Sequence, residues 1–458
     1  MIYSSENEIL NNEGLEENNG ELFIKDKDFF LKTNVKKLVD TIIFAESSHL
    51  KKLCHYVTYN AAIQLGVFPS SIQSLYTAVG KGLVNGFTIP AINIRTLTYD
   101  LARAVFKAAK KNNSSAFIFE IAKSEMGYTF QHPAEYSSAI MLAAMKEGYT
   151  GPIFIQGDHF NIDQKKYLLN KDAEIDTLKK IIKDAIKSSF YNIDIDSSAL
   201  VDISKTSLDE QQKDNYKVCA FLTKFIRDIQ PEGIEVSIGG EIGEVGLKNT
   251  SPDELKTFME GYLKALNGIN GISKISVQTG TSHGGVVLPD GSIAKVNIDF
   301  DTLSELSRIA RNDYALAGAV QHGASTLPNE AFHRFPENKC IEIHLATQFQ
   351  NMVYNYLPLS LKEKIYAWLH RNCEKERNPD WTEDQFIYKT RKKALGFFKK
   401  DIFSISTELK EKISLALEDE FCFLFEQLNI KNTKELIQNY INPVVIHKNK
   451  DFFLKQEK

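Results

Sequence analysis

The stretch from Lys274 to Thr326 contains two short apolar runs, KISVQTGTSHGG (274–285) and ALAGAVQHGAST (315–326). Each run contains a histidine followed by glycine at its end, and such runs are typical of buried parallel strands that end in a tight turn. A helix-like segment, DTLSELSRIAR (301–311), lies between them. If the two strands are neighbours in one parallel sheet, His283 and His322 point into the same pocket. The stretch therefore predicts an α/β fold with a candidate metal site.

Further strand-like runs alternate with amphipathic helices on both sides of this stretch. The predicted strands begin at Gly86, Ser115, Gly151, Tyr191, Gly233, Lys274, Ala315 and Lys339. Eight strands alternating with helices match a (β/α)8 TIM barrel, although a doubly wound sheet has the same alternation. We predict the α/β class and the (β/α)8 TIM barrel within it.

The pattern divides the chain into four predicted segments. Residues 1–20 are polar and acidic without periodicity, so we predict a disordered N-terminus. Residues 21–83 form a predicted N-terminal helical segment, and residues 84–350 the TIM-barrel domain. Residues 351–458 show only helical periodicity and are predicted to be a C-terminal helical extension.

Composition excludes several classes of function. The net charge of −4 gives no basic patch for nucleic acid, and no apolar run is long enough to cross a membrane. The first residues lack the basic and then apolar pattern of a signal peptide, which predicts a cytoplasmic protein. The five cysteines are dispersed without CxxC spacing, so a bound metal ion would need histidine and carboxylate ligands.

Polar residues collect at the carboxyl ends of the predicted strands, where TIM barrels carry their active sites. Histidines together with carboxylates and an open coordination position are typical of a catalytic zinc site. The glycines after His283 and His322, together with Ser325 and Thr347, predict a phosphate pocket of the kind that barrels place after strands seven and eight. The strand-end residues are Asn93, Asp158, His159, Glu241, His283, His322, His344 and Thr347, with Gly284, Gly285, Gly323 and Ser325 directly after the strands.

Five of these segments give the chain a resemblance to a known family. They are GDH (157–159), GEIGEVG (240–246), GTSHGG (280–285), QHGAST (321–326) and IHLATQF (343–349). In this order and at strand ends, they resemble the motifs of the class II, zinc-dependent fructose-bisphosphate and tagatose-bisphosphate aldolases. The resemblance extends over roughly residues 75–350.

The resemblance implies a reversible retro-aldol cleavage of a ketose bisphosphate, by default fructose 1,6-bisphosphate, to dihydroxyacetone phosphate and an aldehyde. It implies that His159, His283 and His322 bind Zn²⁺ and that Asp158 transfers the proton. Glu241 is either catalytic or the buried partner of a basic side chain. The implied partner is a small sugar phosphate, and we also expect a homo-oligomer, a dimer or larger. The predicted substrate contacts are Asn93, Gly284, Gly285, Gly323, Ser325, His344 and Thr347.

Two departures from the family pattern leave the substrate open. His344 stands where the family has asparagine, and the phosphate-binding lysine expected after the GTxHG turn is replaced by VVLPDG (286–291). One alternative is therefore a zinc-dependent sugar epimerase, or an aldolase for another sugar phosphate or sugar acid. The helical extensions also leave open a non-catalytic barrel that serves as an assembly subunit.

Overall fold

A computed structural model of the protein describes residues 2–243, 248–280, 287–288 and 297–455. The strands are β1 (Leu15–Asn18), β2 (Glu21–Ile24), β3 (Val67–Ser70), β4 (Ile89–Asn93), β5 (Ile118–Ala122), β6 (Gly151–Asn161), β7 (Asn192–Asp196), β8 (Ser237–Glu241), β9 (Lys274–Val277), β10 (Ala319–Gln321) and β11 (Glu342–Leu345).

The helices surround these strands and fill both ends of the chain. They are α1 (Glu6–Leu10), α2 (Lys27–Phe29), α3 (Val35–Phe44), α4 (Ser48–Gln64), α5 (Gln73–Gly80), α6 (Thr98–Lys111), α7 (Lys123–Thr129), α8 (Pro133–Lys146), α9 (Gln164–Leu169), α10 (Lys171–Lys187), α11 (Leu208–Ile229), α12 (Pro252–Leu266), α13 (Phe300–Tyr314), α14 (Arg334–Glu337), α15 (Thr347–Tyr356), α16 (Leu359–Cys373), α17 (Glu383–Thr390), α18 (Lys399–Phe403), α19 (Thr407–Gln427), α20 (Lys434–Tyr440) and α21 (Lys450–Leu454).

Strands β4 to β11 form a closed barrel. Each pairs in parallel with its sequence neighbours, and β11 returns to pair with β4. The long amphipathic helices that follow the strands, such as α6 and α13, bury their apolar faces against the barrel. The predicted (β/α)8 TIM barrel is confirmed, and the carboxyl ends of its eight strands meet at one rim.

The N-terminal region departs from its predicted description. Residues 2–20 are ordered, because α1 packs on α4 and the side chains of Tyr3, Ile9 and Leu15 are buried. Strands β1 and β2 form an antiparallel hairpin. The prediction of disorder for residues 1–20 was wrong over the described part. A few apolar residues are enough to order a polar segment when another element of the protein covers them.

Strand β3 is a further element that the helical pattern of residues 21–83 concealed. It pairs in parallel with the first half of β6, whereas β7 pairs with the second half. The Asn192 side chain closes this junction. Its Oδ1 accepts from the Ile72 N–H at 2.9 Å, and its Nδ2 donates to the carbonyls of Ser70 and Ile155. The segment before the barrel is thereby inserted between two barrel strands.

The C-terminal helices pack on the outside of the barrel. Helix α19 lies along α6, and α21 lies along α4. Beyond Leu345, the described part of the chain contains helices and turns but no strand. Among the described helices, none combines the length and the apolar character that a bilayer span requires.

Candidate active site

A cavity of about 470 Å³ opens at the carboxyl ends of the barrel strands. Its walls carry far more polar and titratable groups than a structural cavity would tolerate without a ligand. The lining residues are Asn93, Arg95, Glu120, Ala122, Ser124, Glu125, Asp158, His159, Asn161, Asp196, Ser198, Ala199, Glu241, His322, Gly323, Ser325, His344, Ala346 and Thr347. This rim is where a TIM barrel performs chemistry.

A β-bulge in β6 places two of these residues. The pairing of β6 with β7 shifts register between Gly157 and Phe160, and His159 in the bulge has a left-handed φ of 40°. Histidine adopts this conformation only when its surroundings hold it there, and such strain is concentrated at functional sites. The bulge allows Asp158 and His159 to face the cavity together, whereas regular alternation would point one of them away.

We call His159, Glu241 and His322 the outer group. His159 Nε2 lies 3.7 Å from Glu241 Oε2, and His322 Nδ1 lies 3.6 Å from Glu241 Oε1. Ligands at 2.0–2.1 Å from a tetrahedral zinc ion are separated by about 3.4 Å, so these spacings suit one divalent ion. The three donors all lie within 4.8 Å of one another. The outer group therefore fits a metal ion of the kind that imidazole and carboxylate bind.

A second set of donors lies deeper in the barrel, and we call Asp158, His322 and His344 the inner group. Asp158 Oδ1 is 3.2 Å from His344 Nδ1 and 3.9 Å from His322 Nε2. The same oxygen is 2.8 Å from His159 Nδ1. All three members of the inner group are buried, and they also satisfy the spacing for a common ion.

Below the inner group, charged side chains fill the barrel. The ammonium group of Lys274 donates to Asp194 at 2.9 Å, to Gln156 at 2.8 Å and to Glu342 at 2.5 Å. The Tyr76 hydroxyl also donates to Glu342. A buried network of this kind holds its members in fixed positions when every partner is present. The network reaches the cavity wall through His344, which contacts Glu342 and Asp194.

The surroundings separate the pKa values of the carboxyl groups. Burial favours the neutral form of Asp158, but the positive charges of His159 and His344 hold its pKa well below its usual range. Burial raises the pKa of Glu120 well above its usual range. Burial, followed by the charge of Glu241, raises the pKa of Asp196 to about 6. The surroundings thus favour the carboxylate form of Asp158 and the protonated form of Glu120.

One wall of the cavity is a hydrogen-bonded unit around Glu125. Its Oε2 accepts from the Asn93 side-chain amide at 2.6 Å, and its Oε1 accepts from Arg95 Nε at 2.7 Å. Arg95 also donates to Gln350 at 3.2 Å. These bonds fix the Asn93 amide so that its buried Oδ1 has no hydrogen-bond partner among the described residues. A ligand hydroxyl would satisfy that oxygen.

The structure brings together the predicted residues that it describes. Those in the cavity wall are Asn93, Asp158, His159, Glu241, His322, Gly323, Ser325, His344 and Thr347. His283, Gly284 and Gly285 lie outside the described residues. Lys123, directly after β5, lies 3.7 Å from Glu174.

Sequence reasoning missed the residues that support the site from within the strands. Glu120, Lys274 and Glu342 lie inside apolar strands and point to the barrel interior, and Arg95 follows the end of β4. A charged residue at an inward position of an otherwise apolar strand was the available signal. The hydrogen-bond partners of Lys274, however, are 68 or more residues away in sequence.

The fold and the site define a (β/α)8-barrel enzyme whose donors suit a divalent metal ion. The sequence profile described as "Fructose-bisphosphate aldolase class-II" matches residues 74–415. The chain therefore belongs to the class II fructose-bisphosphate aldolase family, the family that its motifs resemble, and it is a carbon–carbon lyase.

The chain is similar to several solved structures. Fructuronate-tagaturonate epimerase UxaE from Cohnella laeviribosi is 14% identical, with a TM-score of 0.58 over 91% of this chain and 94% of that one. A probable tagatose 6 phosphate kinase from Sinorhizobium meliloti 1021 is 13% identical, with a TM-score of 0.53 over 80% and 96%. The YdjI aldolase from Escherichia coli K12 is 14% identical, with a TM-score of 0.48 over 79% and 98%. A comparison with curated proteins gave no match.

Proposed function

We propose that the chain catalyses a reversible, zinc-dependent retro-aldol cleavage of a ketose bisphosphate. The default substrate is fructose 1,6-bisphosphate, with dihydroxyacetone phosphate and glyceraldehyde 3-phosphate as products. The observation that carries the proposal is the β6 bulge, which places an ionised Asp158 beside His159 and within reach of the outer group. The sequence resemblance adds His283, which joins His159 and His322 as the third proposed histidine ligand of zinc.

The proposed chemistry divides between the metal ion and the chain. An ion held by His159, His283 and His322, with Glu241 beside it, would keep an open position and supply Lewis-acid polarisation of the substrate ketone. Asp158 accepts the proton of the hydroxyl group on the carbon atom that becomes the aldehyde when the carbon–carbon bond breaks. It returns this proton during condensation. Its depressed pKa keeps it in the basic form needed for cleavage at neutral pH.

The remaining wall residues are proposed to position the substrate. The Asn93 amide, fixed by Glu125, contacts a substrate hydroxyl through its Oδ1. Gly323 has a left-handed φ of 71°, which turns the chain after β10 toward Ser325. Together with Thr347 and the two glycines after His283, these residues are the proposed phosphate contacts. Ser325 is itself fixed, because its hydroxyl accepts from the Ala346 N–H at 2.7 Å.

Replacing Asp158 tests this assignment. Asp158→Asn should keep the fold and a metal ion on the outer group, while the rate of triose-phosphate release from fructose 1,6-bisphosphate falls by about 10² to 10⁴. The measurement couples triose-phosphate detection to metal analysis of the same sample. His132→Asn is the control, because this exposed histidine caps α8 and asparagine caps helices equally well. Full activity of Asp158→Asn would refute the role.

A second candidate function is the epimerisation of a keto sugar with fewer phosphates, or of a sugar acid. The described wall carries the carboxyl groups of Glu120, Glu125, Asp158, Asp196 and Glu241 but one arginine, which is already paired with Glu125. This excess of carboxyl groups over basic side chains favours a substrate with less negative charge than a bisphosphate. UxaE, whose fold covers most of this chain, carries the name of a sugar-acid epimerase.

Product analysis separates the two candidates. Cleavage followed by re-addition of the same fragments would give an epimer with no released triose. We therefore expect a panel containing fructose 1,6-bisphosphate, tagatose 1,6-bisphosphate and the corresponding uronates to yield either free triose phosphate or an epimer. We further propose that the protein binds a sugar phosphate, that it is cytoplasmic and that it forms a homo-oligomer.

A further inference from the structure

His344 has the environment of a metal ligand. Its Nε2 lies 2.7 Å from Glu342 Oε1, while its Nδ1 faces Asp158 Oδ1 at 3.2 Å and Glu120 Oε2 at 3.1 Å. Histidines that bind metal ions usually donate their other ring N–H to a carboxylate, which fixes the tautomer and the ring orientation. Here Glu342 takes that part, and Lys274 and Gln156 hold Glu342 in turn. The Nδ1 atom is then the nitrogen that faces a cation.

His322 connects the two groups of donors. Its Nδ1 faces Glu241 of the outer group, and its Nε2 faces Asp158 of the inner group. The His322 ring also lies between the other two imidazoles, with centroids 4.3 Å from His159 and 4.2 Å from His344. One imidazole thus faces both positions, and binding of an ion at each would release its ring proton to give a bridging imidazolate.

Charge within the barrel favours a cation at the inner position. The carboxyl groups of Glu120, Asp158, Asp194 and Glu342 surround His344, and all four side chains are buried. Within the described part of the chain, Lys274 is the only lysine or arginine paired with any of the four.

Several of these buried oxygens also lack a hydrogen-bond partner. Glu120 Oε1 and Asp194 Oδ1 have none among the described residues. A divalent ion bound here would satisfy such oxygens and balance the carboxylates among these groups. Asp158 Oδ1 lies 3.2 Å from His344 Nδ1 and 3.9 Å from His322 Nε2. These distances lie on either side of the separation of about 3.4 Å between two ligands of a tetrahedral zinc ion.

We infer that Asp158, His322 and His344 form a second divalent-cation position, deeper than that of the outer group. This inference goes beyond the proposed function, because it concerns a position built with a histidine where the related aldolases carry asparagine. Asp158 contacts the inner group through Oδ1, so its Oδ2 stays available for proton transfer.

Counting bound ions tests the inference without reference to activity. Metal-free protein is titrated with Co²⁺, and the bound ions are counted by elemental analysis while the visible absorption reports their ligands. Wild type is expected to bind two ions per chain. His344→Asn should bind one, or bind its weaker ion at least tenfold more weakly. Equal numbers bound with equal affinity in wild type and His344→Asn would overturn the inference.

Two further variants locate the ion that is lost. His159→Asn removes an outer ligand and tolerates the left-handed backbone, so it should retain the ion that depends on His344. Asp158→Asn removes an inner ligand and should reproduce the loss seen in His344→Asn. His132→Asn is the control for both, and circular dichroism verifies that each variant is folded. Failure of the proposed cleavage reaction would leave these ion counts unchanged.

Discussion

At the scale of single residues, Lys448 shows how the C-terminal segment is fixed to the barrel. Lys448 is 4% exposed, and its ammonium group donates to the Lys187 carbonyl at 2.9 Å and to the Ser189 hydroxyl at 2.7 Å. It also lies 4.5 Å from the centre of the Tyr59 ring. Burial, with a smaller contribution from the charge of Lys187, lowers the pKa of Lys448 to about 7.

The pKa of Lys448 predicts a pH dependence of stability. Between about pH 7 and its ordinary pKa of 10.5, the unfolded state binds the proton that the folded state has released. Stability therefore rises with pH in this window, by up to about 1.4 kcal/mol per pH unit. Urea unfolding at pH 7.5 and 9.5 should show wild type gaining about 2 kcal/mol relative to Lys448→Met. Equal changes in stability with pH for wild type and Lys448→Met would contradict this prediction. Lys364→Met, which replaces an exposed lysine, is the control and should follow wild type.

Some single residues of the site could be predicted from the sequence and others could not. Asp158, His159, His322 and Glu241 were predictable because each lies near the carboxyl end of an apolar strand, and these ends meet at one rim. Glu120 was not, because its role depends on a histidine more than 200 positions later in the chain, and no local pattern encodes that contact.

At the scale of elements, β6 is the strand on which the geometry of the site depends most. It pairs with three strands, and its bulge turns Asp158 and His159 into the cavity. Gly157 permits the bulge, because a Cβ atom there would lie 2.5 Å from the Phe160 ring. The barrel strands were predictable from their apolar runs, but the bulge was not, since it arises from pairing with β7.

Gly157→Ala should therefore disturb both stability and the site. We expect a loss of about 1–3 kcal/mol in the free energy of unfolding, because the new methyl group must displace the Phe160 ring. Metal affinity should fall with it, since His159 is next to the displaced segment. Gly127→Ala is a matched control in α7, where nothing lies within 4 Å of the added Cβ. Unchanged metal affinity in Gly157→Ala would show that the bulge does not position His159.

At the scale of the whole molecule, the N-terminal segment is part of the barrel wall. Strand β3 occupies the edge of β6 that β7 leaves, and the buried Asn192 side chain bonds to both segments. The helical periodicity of residues 21–83 concealed this strand, because four residues are too few to show alternation. The order of the eight barrel strands, by contrast, followed directly from the sequence.

Asn192→Ala should destabilise the protein far more than its small volume change implies. It leaves the Ile72 N–H and the carbonyls of Ser70 and Ile155 without their partner in a buried junction, which costs roughly 2–5 kcal/mol. The thermal midpoint is the measurement. Asn372→Ala, which removes an exposed asparagine that bonds within its own helix, should stay within about 0.5 kcal/mol of wild type. Equal midpoints for the two variants would contradict the role of Asn192.

The inserted strand β3 also has a consequence during synthesis of the chain on the ribosome. Residues 67–70 emerge early, yet the Asn192 side chain that fixes them is made 120 residues after Ile72. At about 5–20 residues per second, the N-terminal segment waits roughly 6 to 24 seconds before its junction can form. During that interval its unpaired strand edge and buried apolar side chains are exposed, so the nascent chain depends on chaperones more than a barrel that begins with its own first strand.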